Sequence, residues 1–261
     1  MTRVVVAHNA KEEAADGLVL AELIIRLTDA DLVIARVLRD MVERAVQDPS
    51  DQRRIRRHVS ETRRAVVAAL PHETDPDVVA LPSPSLAKSL HAFAEAEDAT
   101  FLIVGSSHRH GLGRRLLGGS AELIVDGAPC PVAVAPPGYR SAHAGVPSVV
   151  SVGYDGRPHS LPALHVAESL AVAAGATLRV VTAGDGVPED LPGVLLPPAR
   201  VERVRLDGDA GRALVDETAG TGLLVLGSRG LGPIRRALLG SISRHVLTRA
   251  HCPVIVCPPA S

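Results

Sequence analysis

The chain has no tryptophan, and aromatic residues make up only 2% of its 261 positions. Its interior must then be built from Val, Leu, Ile and Ala, the composition of parallel strands buried on both faces. Three cysteines in a chain of this length exclude a disulfide framework and fit a reducing compartment. A formal net charge of −1 gives no global attraction to nucleic acid or to an anionic membrane. No run approaches the ~18 apolar residues of a membrane span, and the apolar stretch of MTRVVVAHNA is too short for a signal peptide. These absences together lead us to expect a soluble cytoplasmic protein.

What is present is one stretch written twice. Gly105 to Pro137 lies on Gly227 to Pro259 without a gap, 122 positions apart, with thirteen of thirty-three paired positions identical. The shared residues include Gly105/Gly227, Ser106/Ser228, Arg114/Arg236, Gly118/Gly240 and Cys130/Cys252. Two copies of one unit follow, each long enough for its own core. We place the units at residues 1–137 and 148–261, with a Pro- and Gly-rich linker at 138–147. Cys130 and Cys252, as one position in two units, are expected in separate cores, buried as small hydrophobes along with Cys257.

Each unit opens with a β-branched run, Val4–His8 or Val149–Tyr154, followed by a helical pattern at Lys11–Leu27 or Leu161–Ala174. Further strands are read at Leu32–Leu38, Val78–Leu81, Phe101–Val104 and Val132–Ala135, and at Thr177–Thr182, Val201–Leu206, Leu223–Leu226 and Val254–Cys257. Helices fall at Ser85–Glu97 and Ala210–Thr218, and start again near Ser120 and Ser241. Strands alternating with helices imply an α/β fold of two tandem doubly wound parallel five-stranded sheets, Rossmann-like. Only the first unit has a long charged helix, Ser50–Leu70; Gly184–Pro198 reads as a loop.

The second unit carries Gly227-x2-Gly230-x9-Gly240-Ser241 between a strand and a helix. Such glycines let backbone N–H groups close on an anion, and Ser241 and Ser243 offer hydroxyl donors. A glycine loop serves equally to turn the chain. It is neither a Walker A loop, lacking Gly-Lys-Ser/Thr, nor a dinucleotide fingerprint, since Leu116 and Arg235 stand where a third glycine belongs. Asp155 sits at the carboxyl end of a strand, where open α/β sheets bind ligands, although an Asp-Gly turn is the simpler reading of Asp155-Gly156. The first unit has Asn9, His108 and Gly119 at the matching points, so its site is expected to be weak or empty.

With these residues in view, the chain resembles a tandem universal stress protein, its second unit similar to the ATP-binding branch of that family. The resemblance implies that Asp155 contacts the adenosine and that Gly153 and Ala183 flank the adenine. It implies that Gly227, Ser228, Arg229, Gly230, Gly240, Ser241, Ile242 and Ser243 wrap ribose and phosphates. ATP, or AMP or ADP, would be the ligand, with Mg2+ accompanying the phosphates. Pairing through the last strands would make the chain an intramolecular pseudo-dimer, open to homodimer formation and to an unidentified protein partner. A regulatory stress-response module is favoured over a slow ATPase, for which no general base is evident, and over a purely structural interaction protein.

Other features weigh less. Arg53 to His58 with Arg63 and Arg64 reads as a solvated helix face, or else an anion-docking surface. His108 and His110 lack a third ligand for a metal. Arg235 and Arg236 either reach phosphate or stay exposed.

Overall fold

The computed structural model describes residues 2–9, 12–41, 48–70, 76–106, 108–111, 114–117, 119–142, 145–183, 200–228 and 239–259. The first half runs β1 (Arg3–Ala7), α1 (Glu12–Thr28), β2 (Asp31–Leu38), α2 (Pro49–Ala69), β3 (Asp77–Pro82), α3 (Leu86–Ala96) and β4 (Ala99–Gly105). A short pair of strands, β5 (His108–Gly111) and β6 (Arg114–Leu117), precedes α4 (Gly119–Val125) and β7 (Val132–Ala135). After α5 (Tyr139–Ala142) the second half follows as β8 (Val149–Gly153), α6 (Leu161–Ala174), β9 (Thr177–Ala183) and β10 (Arg200–Leu206). It closes with α7 (Ala210–Glu217), β11 (Leu223–Gly227), α8 (Ser241–Leu247) and β12 (Val254–Cys257).

Local chemistry explains most boundaries. The Asp48 and Asp209 carboxylates accept backbone N–H groups at the starts of α2 and α7, satisfying donors a helix N-terminus leaves free. Helix α6 ends on Gly175, at φ 61°, with Gly175 N–H donating to Val172 O and Ala176 N–H to Ala171 O. In the first half Asp29 takes the same left-handed conformation after α1, at φ 50°. Ser241 is the first residue of α8 rather than its cap; Gly240 caps it without a side-chain bond.

Among the described residues ten strands join in one sheet, ordered β10-β9-β8-β11-β12-β7-β4-β1-β2-β3. Each half is a parallel set of five, and the halves meet where β7 pairs antiparallel with β12. The two expected sheets are thus one continuous sheet. Ala133 pairs with Ile255, its own repeat counterpart, so a pseudo-twofold axis passes through that pair. Sealing β7 and β12 against each other removes two apolar edges that would otherwise recruit another chain.

The sheet is covered on both faces, and each apolar layer crosses the seam. One layer takes Leu18 and Ile24 from α1, Val66 from α2 and Leu164 from α6. The other takes Leu90 from α3, Ala121 from α4, Leu214 from α7 and Val246 from α8. Cys130 and Cys252 therefore line one shared layer, not separate cores, because the seam makes the cores continuous. Antiparallel pairing sets them at opposite ends of the seam, and all three cysteines are free and buried.

The expected linker is not a bare spacer. Buried Asp16 on α1 accepts Gly138 N–H and Arg140 N–H, both at 2.9 Å, and ties α5 to the first half. The loop read at Gly184–Pro198 lies outside the described residues. No helix among the described residues is long and apolar enough to cross a membrane.

A candidate ligand cleft at the carboxyl ends of the second half's strands

Strands β8 and β11 are neighbours, yet the chain leaves β8 toward β9 and leaves β11 toward β12. Helices α6 and α8 consequently cover opposite faces, opening a crevice at the carboxyl ends of the strands. A cleft of about 530 Å³ occupies it, within the range of small-ligand sites.

Of the residues singled out in the sequence, Gly153, Asp155, Ala183, Gly227, Gly240, Ile242 and Ser243 line this cleft. Residues from three strand ends and from the start of α8 thus converge on one space. Arg229 and Gly230, together with Arg235 and Arg236, lie outside the described residues. Ser241 is exposed and is not among the lining residues. Ser228 is fully buried, also without lining the cleft. Its hydroxyl has no partner among the described residues, whereas the sister Ser106 hydroxyl donates to Ala135 O at 3.0 Å.

Asp155 is held at the cleft mouth. Its Oδ1 accepts Arg157 N–H at 3.1 Å, an Asx turn, and its Oδ2 lies 3.2 Å from His159 Nε2. Tyr154, Arg157 and His159 line the cleft as well, and sequence reasoning missed them. The spacing of His159, four residues from Asp155 at the entry to α6, was the available signal. Burial, and secondarily the Asp155 charge, raises the Tyr154 phenol above its ordinary value, so it stays a neutral hydrogen-bonding group at pH 7.

The first half has other contacts at the matching points. Asn9 Nδ2 donates to Glu13 Oε1 at 3.1 Å in place of the Asp155–His159 pair. Buried His8 stands where the second half has Tyr154, and desolvation followed by the nearby Arg36 charge lowers it to about 4. His108 opens β5, paired antiparallel with β6 at Leu117. An extended pair of strands thus follows β4 in the first half.

One shared glycine has a packing cause. A Cβ at Gly227 would sit 2.6 Å from His159 O and 3.2 Å from Ser160 Cα. A Cβ at Gly105 would meet Glu13 O more closely still. In both halves the end of the fourth strand abuts the start of the first helix, which requires glycine whether or not a ligand binds. Among the described residues no group of three His, Cys, Asp or Glu side chains is arranged to hold a metal ion.

The model of the universal stress protein family matches residues 1–136 and 195–258. The chain belongs to the universal stress protein family. That match omits residues 137–194, which hold Gly153, Asp155 and Ala183. A universal stress protein of Mycobacterium tuberculosis is 35% identical over 188 residues, 62% of each chain. The chain therefore spans less than two thirds of that relative's length. A universal stress protein of Thermus aquaticus is 33% identical over 131 residues, covering 41% of this chain and 96% of its own. Among solved structures, a universal stress protein from Archaeoglobus fulgidus overlays with a TM-score of 0.71 at 17% identity, covering 98% of both chains. One from Pseudomonas aeruginosa gives 0.59 at 17% identity, covering 99% of this chain and 94% of that one. At these identities the likeness is one of fold.

Proposed function

We propose that this universal stress protein binds an adenine nucleotide, ATP foremost and AMP or ADP as alternatives, in the second-half cleft. The observation that carries the reading is the convergence of Gly153, Asp155, Ala183, Gly227 and Gly240 on one space at the point where the strand order reverses. The residues fit such a ligand. Asp155 offers an acceptor for ribose hydroxyls or the adenine amino group, Val181, Leu214 and Leu226 give apolar wall for a base, and Arg157 adds a cation at the mouth. Mg2+ would travel with the phosphates, because Asp155 is the single carboxylate among the described lining residues. We favour a regulatory role over hydrolysis because Asp155 and His159, the acid–base pair among the described lining residues, stand where this reading places adenosine rather than the phosphates.

In that role nucleotide binding alters the surface offered to a protein partner, an effect that requires different affinities for two conformational states. The setting we propose is cytoplasmic stress response. The two repeat units at 1–137 and 148–261 pair within the chain across β7 and β12, and a second copy can add to form a homodimer.

The test is to denature protein purified without added nucleotide, identify released small molecules by mass spectrometry, and titrate ATP with magnesium. About one adenine nucleotide per chain, lost in Asp155→Ala, is expected. No nucleotide, or full retention in Asp155→Ala, rejects the site.

A further inference from the structure

The second-half cleft is not built by that half alone. Leu239 N–H donates to Asp126 Oδ1 at 3.1 Å, and Asp126 follows α4 in the first half. Arg244 Nε, farther along α8, pairs with Glu122 Oε1 at 2.8 Å, again on α4. Between these contacts lie Gly240, Ile242 and Ser243, all lining the cleft. The first half thus grips the rim of the second half's cleft at two points.

The repeat relates the residues of the two contacts differently. Glu122 and Arg244 are repeat counterparts, so their pair straddles the pseudo-twofold axis. The counterpart of Asp126 is Thr248, whose hydroxyl donates to Arg244 O at 3.1 Å and His245 O at 2.7 Å on its own helix. Among the described residues no bond from the first half to Thr248 matches the one Asp126 accepts. Through Asp126 the half with Asn9 supports the half with Asp155.

We infer that Asp126 is a positioning residue for the cleft, holding Leu239 N–H so that the backbone at Gly240 is set before a ligand arrives. This rests on the nucleotide reading given above. Gly240 caps α8 with no side-chain bond and has the widest backbone freedom of any residue type. A ligand meeting that backbone unheld must order it on binding, which weakens affinity; a segment ordered in advance avoids the loss.

The experiment compares full-length wild type, Asp126→Ala and Asp126→Asn by ATP–magnesium calorimetry, with amide hydrogen exchange over residues 239–247 in the absence of nucleotide. Losing a hydrogen bond to a charged acceptor predicts roughly tenfold weaker ATP binding and faster exchange at Leu239 in Asp126→Ala. Asp126→Asn, which keeps an acceptor oxygen, should stay within about threefold of wild type. A merely structural role would lower the melting temperature of Asp126→Ala and leave both affinity and Leu239 exchange unchanged, which overturns the inference. If wild type binds no adenine nucleotide, the proposed function fails on its own. The exchange rates then decide separately whether Asp126 holds this backbone, and equal rates overturn that too.

Discussion

Gly105→Ala and Gly227→Ala together test whether packing retains these paired glycines. At 227 the added methyl carbon meets the His159 carbonyl oxygen at 2.6 Å and Ser160 Cα at 3.2 Å, against an ordinary contact near ~3.5 Å. At 105 the obstacle is the Glu13 carbonyl oxygen, nearer still. Both obstacles are helix backbone and cannot rotate aside, so strand end and helix start must separate. Overpacking of this kind costs about 1–3 kcal/mol; we place both variants near the upper value, with Gly105→Ala no milder than Gly227→Ala. For a chain of this size that corresponds to a fall of about 6–12 °C in melting temperature, read by calorimetry or by urea midpoint. If ligand contact were the reason for the glycine, Gly105→Ala would be silent, because the first half has Asn9 and Gly119 at matching points. A Gly105→Ala melting temperature within about 2 °C of wild type refutes the packing argument.

Three further outcomes are expected. His8 is lowered to about 4 by burial and the Arg36 charge, so the unfolded chain takes up its proton at a pH where the folded chain does not. Its contribution is whole above pH ~6.5 and is lost as pH falls toward ~4; His8→Tyr should flatten the stability curve across that window, and an unchanged slope removes His8 as the cause. Burial pushes the Cys130 and Cys252 thiols up to about 12 and Cys257 higher still, so a thiol reagent should label none of the three in native protein and all after denaturation. Rapid labelling before unfolding contradicts that burial. The Glu122–Arg244 pair is 34% and 54% exposed, and a double-mutant cycle on stability should give at most about 1 kcal/mol, shrinking with salt; about 2 kcal/mol or more contradicts a solvated pair.

The strands were legible because a strand covered on both faces reads as an unbroken apolar run. Val132–Ala135 and Val254–Cys257 were placed at their observed limits from that patterning, and the helix Leu161–Ala174 from apolar residues at three- and four-residue spacing. Strands β5 and β6 were not legible, since His108–Gly111 and Arg114–Leu117 carry no alternation of apolar and polar residues and resemble a glycine loop. Helix α5 was hidden because Tyr139–Ala142 is set by a carboxylate more than a hundred residues earlier, Asp16. In the site, glycines and Asp155 stood out by residue type. Tyr154 and His159 did not, because aromatic and imidazole side chains gain their place only from the walls around them.

The sequence alone determined the repeat, the α/β alternation, the ten strands of the large sheet and the imbalance between Asp155 and Asn9, all of them local patterns or comparisons within one chain. Tertiary structure decided what depends on residues far apart: the β7–β12 seam, the shared apolar layers around Cys130 and Cys252, and the Asp126–Leu239 bond across the halves. Periodicity records which face of an element is buried and carries no information about which distant face covers it. That choice is made only when the two last strands meet and the halves pack as one sheet.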